Sequence, residues 1–162
     1  MASVRRGGPD DWAQLRAIRL EALADTPEAY GAHYQEVVRW SAQRWRDVAA
    51  QWHYYLGDVQ GEVVGMISAR LTDEAPLAGW LYSMYVAPRA RGTGLADSLV
   101  DAVTQWVRSQ GARELYLQVT SSVARARVFY ERCGFRPTAD TTAMERDPSL
   151  VLITMVRRLV NE

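Results

Sequence analysis

The clearest pattern of apolar and polar positions lies between Trp80 and Arg108. Leu81, Tyr82, Met84, Tyr85 and Val86 are aromatic, β-branched or long apolar residues, which suit a packed strand over 80–87. Pro88 has no N–H to give to a ladder, so the strand stops before it. Leu95, Leu99, Ala102, Val103, Trp106 and Val107 then recur at spacings of 4, 3, 1, 3 and 1, which mark one face of a helix. Gly92 and Gly94 lie in the connection and allow backbone conformations that a Cβ forbids. The stretch reads as a strand, a basic glycine-rich turn and a helix.

The same reading extends along the chain. Residues 2–6 predict a short strand ending at Gly7-Gly8-Pro9. Asp10 and Asp11 suit a helix start. Trp12, Leu15, Ile18, Arg19, Ala22 and Leu23 mark the face of a helix over 10–24, with Pro27 beyond it. Ser41 is placed to cap a second helix, 41–51, carrying Trp45, Val48 and Ala49. Tyr54, Tyr55 and Leu56 begin a strand, and the turn-rich Gly57-Asp-Val-Gln-Gly61 predicts a hairpin to Val63–Leu71. Asp73 to Gly79 is a polar turn containing proline. After the central helix, Gly111 reads as a C-cap or turn residue and Glu114–Thr120 alternates as a strand. Ser121 or Ser122 caps a helix over 123–133. Phe135–Pro137 starts another strand, 138–149 reads as a loop with Pro148, and Leu150–Leu159 is a last strand. The order β-α-α-β-β-β-α-β-α-β-β predicts an α/β chain: a mixed sheet with helices on both faces.

Composition narrows the function classes. The 162 residues are read as one domain, 1–162. Arginine and lysine together number 19 and match 19 acidic residues, and every one of these cations is arginine. Such a balance gives no basic surface for nucleic acid. A lone cysteine, Cys133, excludes an intrachain disulfide and a cysteine metal cluster, and no metal is expected. With no apolar run of about 18 residues and no signal-like N-terminus, a soluble cytoplasmic protein without a membrane partner is expected. Cys133 reads as a small packed residue. Trp40, Trp45 and Trp52 read as core, or as lining of a pocket or dimer interface.

The glycine turn carries the chemistry. A helix opened by glycine leaves backbone N–H groups unpaired at the positive end of its dipole, which is an anion site suited to phosphate. It is not a P-loop, which needs Lys and then Ser or Thr after its second glycine, where Leu95 and Ala96 stand. Nor is it a dinucleotide fingerprint, which needs a glycine at the position of Asp97.

Arg91-Gly92-Thr93-Gly94-Leu95-Ala96 resembles the Arg/Gln-x-x-Gly-x-Gly/Ala loop of the GCN5-related N-acetyltransferase (GNAT) superfamily, preceded by its V-x-P at Val86-Ala87-Pro88. Ala126 to Phe135, ARVFYERCGF, resembles the A-x-x-[FL]-Y-x-x-x-G-F block that follows in that superfamily. The run from Arg19 to Gly31 is similar to the first-helix segment of its bacterial members. The resemblance implies a mostly antiparallel mixed sheet of about seven strands with about four helices, splayed between the strands at 80–87 and 114–120. It also implies acetyl-CoA as co-substrate. Met84, Tyr85 and Val86 would pair with its pantetheine arm, and Arg91, Gly92, Thr93, Gly94, Leu95, Ala96 and Asp97 would hold its pyrophosphate. Tyr130 would donate a proton to the departing thiolate. Tyr30, Tyr34 and Tyr82 would line the acceptor pocket. The expected activity is transfer of an acetyl group to a primary amine of a small molecule or peptide, and a homodimer is common in the family.

Three positions depart from that pattern. The superfamily's glutamate on the central strand is Trp80 here, the alternative on the next strand is Gln118, and its asparagine is Val123, so that contact to CoA is absent or supplied by Ser121 or Ser122. No general base is assigned. A water chain to Tyr82, Ser83 or Tyr85, Glu145 on the 138–149 loop, or an amine arriving neutral are the alternatives. Arg125 and Arg127 read as a solvated face or as partners of the CoA 3′-phosphate. The departures motivate a second reading, a CoA-binding regulatory domain with weak or lost turnover.

Overall fold

The computed structural model describes residues 1–30 and 32–159. Gly31, at the end of the first-helix segment, lies outside the described residues. Seven strands form one sheet in the order β1-β2-β3-β4-β5-β7-β6. They are β1 (Ala2–Arg6), β2 (His53–Val59), β3 (Glu62–Leu71), β4 (Gly79–Val86), β5 (Glu114–Thr120), β6 (Arg136–Met144) and β7 (Asp147–Arg158). The pairing of β4 with β5 is parallel and the other neighbours are antiparallel. The helices are α1 (Trp12–Asp25), α2 (Tyr34–Val37), α3 (Ala42–Gln51), α4 (Leu95–Ser109) and α5 (Ala124–Arg132). Sequence and structure agree on the mixed sheet, and four of these helices were expected. The single turn of α2 has too few residues to show a period.

Local chemistry explains the ends of these elements. Ser41 Oγ accepts the backbone N–H of Arg44, so α3 starts where the capping residue stands. Asp11 accepts the Gly8 N–H at 2.8 Å and pairs with Arg5 at 3.0 Å, fixing the chain's entry into α1. Gly111, at φ +89°, ends α4.

Two differences from expectation stand out. Residues 138–149 are not a loop. β6 runs to Met144 and pairs with β7, which already begins at Asp147. β6 is an edge strand exposed along nearly all its length, so no apolar alternation marks it, and Thr138, Thr141 and Thr142 supply the strand preference. Pro148 is tolerated near the start of its strand. In β2 the strand continues through Val59, and the turn tightens to Gln60 and Gly61.

Helix α4 lies close to the sheet because glycines face it. A Cβ on Gly57 would come within 2.6 Å of a Leu95 methyl, on Gly65 within 3.1 Å of Leu95 and Leu99, and on Gly79 within 2.4 Å of Val107 Cγ1. Gly79→Ala is expected to destabilise the fold by about 1–3 kcal/mol, since Val107 is fully buried and stiff at χ1. A urea melt in which the midpoint stays put would refute the close packing. The opposite face carries α1: Tyr85, whose partner Met66 is one residue beyond Gly65, donates to Glu21 and Asp25 of that helix.

β4 and β5 pair only at Gly79↔Leu115 and Trp80↔Tyr116, then diverge. On its other side, β4 carries a bulge: between the pairs Met66↔Tyr85 and Ser68↔Tyr82, the single β3 residue Ile67 faces two of β4, Ser83 and Met84. Ser83 there takes φ +55°, a left-handed conformation uncommon for a non-glycine residue. The bulge and the divergence leave main-chain groups of β4 unpaired beside an open wedge.

His53 gives the fold a pH dependence. It stacks on Trp106 at 3.5 Å between centroids and accepts from Arg6. Burial, aided by Arg6, pushes its pKa down to about 4 from 6.5. The unfolded chain therefore takes up the proton first, and stability is lost as pH falls from 6.5 towards 4. Thermal melts across that window should show the decline, and His53→Gln should flatten it.

Candidate active site

The wedge ends at the glycine turn. Thr93 Oγ1 donates to the Ala90 carbonyl at 2.6 Å and accepts the Leu95 N–H at 3.4 Å. Gly94 stands at the start of α4 with φ +83°, and no side chain caps the helix. The backbone N–H groups of Ala96 and Asp97 have no acceptor among the described residues. Arg91 reaches Asp25 at 3.3 Å, and Arg89 bridges Glu21 and Glu62, so both arginines brace the turn against neighbouring elements. The arrangement presents main-chain donors to an anion.

A cavity of about 720 Å3 opens here, between the turn, β4 and α5. Met84, Tyr85, Val86, Arg91, Gly92, Gly94, Leu95, Ala96 and Asp97 all line it. Thr93 and Ser122 do not. Thr93 points back to hold the turn, while Val123 and Ala124 border the cavity where Ser122 was expected. Arg125 also lines it, whereas Arg127 pairs with Glu131 on the surface. Cys133 is partly buried near Asp97, and burial pushes its thiol up to about 11, the behaviour of an inert packed cysteine.

A second cavity, about 340 Å3, lies on the other side of the wedge. Ala29, Tyr30, Met84, Val123, Ala126 and Tyr130 line both, so the two meet at those residues. Tyr130 is only 7% exposed, packs edge-on against Phe129 and Phe135, and its hydroxyl has no hydrogen-bond partner among the described residues. Burial raises its pKa far above the usual phenol value, so the hydroxyl keeps its proton. Tyr30 donates to the Met84 carbonyl at 2.7 Å. Thr120 donates to Glu28 O, and Arg146 Nε to Tyr30 O at 2.9 Å, holding the 27–30 segment over the junction.

Tyr82 lines the second cavity and is 43% exposed; Tyr34 lines neither cavity. Among the described residues no carboxylate or imidazole lines the second cavity. Gln118 does, while Trp80 stacks on Tyr116 and borders a neighbouring cavity. Of the proton-relay candidates, Tyr85 is tied to Glu21 and Asp25, and Glu145 is exposed and lines neither cavity.

Two residues of this region were not anticipated as part of it. Arg146 makes contacts more than 100 residues away in sequence, which no local pattern announces. Arg19 lines the second cavity as its only charged residue among those described, beside Tyr30 and Trp52. Its position on the otherwise apolar face of α1 was the signal.

Residues 15–135 match the model of the acetyltransferase (GNAT) family. The chain belongs to that family. It is 31% identical over 147 residues to aminoglycoside N(6′)-acetyltransferase type 1 of Stenotrophomonas maltophilia, covering 84% of this chain and 87% of the relative. It is 28% identical over 141 residues to L-methionine sulfoximine/L-methionine sulfone acetyltransferase of Pseudomonas aeruginosa, covering 83% and 80%. Against mycothiol acetyltransferase of Beutenbergia cavernae the identity is 29% over 76% of this chain, but the chain spans only 40% of that relative's length. Its fold is shared by an acetyltransferase of the GNAT family from Streptococcus pneumoniae, at TM-score 0.81 and 16% identity, over 99% of this chain and 100% of the other. Enzymes of the family use acetyl-CoA as co-substrate. Among the described residues no group of His, Cys, Asp and Glu could hold a metal, and no helix is long and apolar enough to cross a membrane.

Proposed function

We propose that this GNAT chain transfers an acetyl group from acetyl-CoA directly to a primary amine of a small molecule or peptide. The observation that carries the reading is the meeting of two cavities at a buried, protonated Tyr130. The larger cavity takes acetyl-CoA. Its phosphates lie against the free N–H groups of the first turn of α4, and its arm lies along the unpaired edge of β4 as an added strand would. The acceptor enters through the smaller cavity.

A neutral amine attacks the thioester carbon, the carbonyl oxygen takes the negative charge, and the C–S bond breaks as the intermediate collapses. Tyr130 gives its proton to the departing sulfur and recovers one that the amine sheds through water, so the net transfer is one proton from nitrogen to sulfur. The test is CoA release from acetyl-CoA across a panel of amines, with binding measured alongside. Amine-dependent release supports transfer.

The smaller cavity, lined by no carboxylate or imidazole among the described residues, favours one other reading: a CoA-binding regulatory domain with weak or lost turnover. Tight binding of acetyl-CoA with no release from any amine selects it. A wild-type chain that binds no acetyl-CoA refutes both.

A further inference from the structure

Arg19 is a cation without a counter-charge. Among the described residues no acidic side chain lies within ion-pair distance of it and no carboxylate lines the second cavity; the neighbouring cavity that Arg19 also borders carries Asp73, beyond that distance. Its guanidinium lies 5.6 Å from the Tyr30 ring and 5.7 Å from that of Trp52, and Nη1 donates to Ser83 Oγ at 3.0 Å. Nε is buried with no partner. Burial works against the charge, as its lowered pKa records, yet a guanidinium stays protonated. A fold that leaves a charged donor so placed has an energetic deficit that a ligand can remove. The planar fork fits a carboxylate with two parallel hydrogen bonds.

The position of Arg19 limits where that carboxylate lies relative to the reacting nitrogen. Arg19 holds Ser83, the next residue is Met84, and the Met84 carbonyl is bonded by Tyr30 at the junction of the two cavities. An anion held by Arg19 is therefore close to the point of transfer. Leu81, Val119, Met144 and Leu152 give the rest of the cavity apolar walls. A polycation such as an aminoglycoside would bring ammonium groups against an unpaired guanidinium.

We propose that Arg19 is the carboxylate-recognition residue of the acceptor site and that the acceptor is an α-amino acid, or an amine with its carboxylate as close; this rests on the transferase reading. The assignment also bears on the missing base. The carboxylate of a free amino acid holds the proton on its own ammonium. Pairing it with Arg19 cancels that hold, and an α-amine without it titrates near about 7.7–8.0, so neutral nucleophile is available without a dedicated base.

The experiment compares L-amino acids with their α-amides and with the matching decarboxylated amines, using wild type, Arg19→Met and Arg19→Lys. Wild type is expected to favour acid over amide by about 10²-fold in kcat/KM. Arg19→Met should bring that ratio near one and Arg19→Lys should restore part of it, with retained acetyl-CoA binding showing that the variants are folded. Release with amides or alkylamines but with no amino acid overturns the carboxylate site and leaves the transferase intact. An acid preference that survives in Arg19→Met overturns it too. Calorimetry of N-acetyl-L-leucine against its amide, with CoA present, reads the site without turnover. Tighter binding of the acid by wild type and equal binding by Arg19→Met are expected, and equal binding by wild type refutes the assignment. A chain that binds no acetyl-CoA fails at the earlier step.

Discussion

Tyr130→Phe is expected to lower kcat for acetyl transfer by about 10²-fold or more, the range for a lost general acid, while acetyl-CoA affinity falls far less. The substitution removes one hydroxyl from the floor shared by both cavities and keeps the ring that packs against Phe129 and Phe135. Fold and cavity shape are thus retained, and what is lost is the proton for the leaving sulfur. Burial holds that proton well beyond the ordinary phenol range, so wild-type kcat should show no alkaline fall from Tyr130 up to about pH 10. Steady-state kinetics on both proteins, with acetyl-CoA binding by calorimetry, checks each part. A variant within a few-fold of wild type in kcat would remove Tyr130 from the reaction.

Gly94→Trp should weaken acetyl-CoA binding by about 10²-fold or more. A Cβ at this position meets nothing within 4 Å, so an indole has open space to occupy beside the larger cavity that Gly94 lines. There it covers the N–H groups of Ala96 and Asp97, and each hydrogen bond lost to a charged phosphate is worth about 1.5–3 kcal/mol. The residue also takes φ +83°, which costs a side-chain-bearing residue about 1–2 kcal/mol, so a lower unfolding midpoint accompanies the change. Circular dichroism separates a folded non-binder from an unfolded chain. Undiminished affinity in a folded variant would show that the phosphates do not lie at this turn.

Both predictions use residues visible in the sequence. The strand, turn and helix from 80 to 108 were legible because apolar spacing, a stopping proline and two glycines agree there. The 138–149 segment was not, because an edge strand open to water on both faces has no buried face to write into its pattern. The bulge at Ser83 left no mark either, since a left-handed serine is set by the pairing of β3 with β4 rather than by its neighbours in sequence. The lining of the larger cavity at the glycine turn comes from contiguous motifs and could be read. The smaller cavity joins Arg19, Tyr30, Tyr82 and Gln118 from four separate elements, and their proximity exists only in the fold. Arg19 was visible as a member of the α1 face, but nothing local distinguishes a cation that snorkels to water from one enclosed by Tyr30 and Trp52.

The three glycines beneath α4 act as a ruler. They set the height of the helix above the sheet, and so the offset between the N–H groups at its first turn and the free edge of β4. A long ligand gripped at both places samples that offset along its length. Lifting α4 by the width of a methyl group leaves every contacting residue in place chemically, yet puts the two grips out of registration. On the proposed acetyl-CoA site, substitutions at Gly57, Gly65 and Gly79 are therefore expected to act at a distance: such a variant, though still folded, should bind acetyl-CoA as though the glycine turn had been damaged.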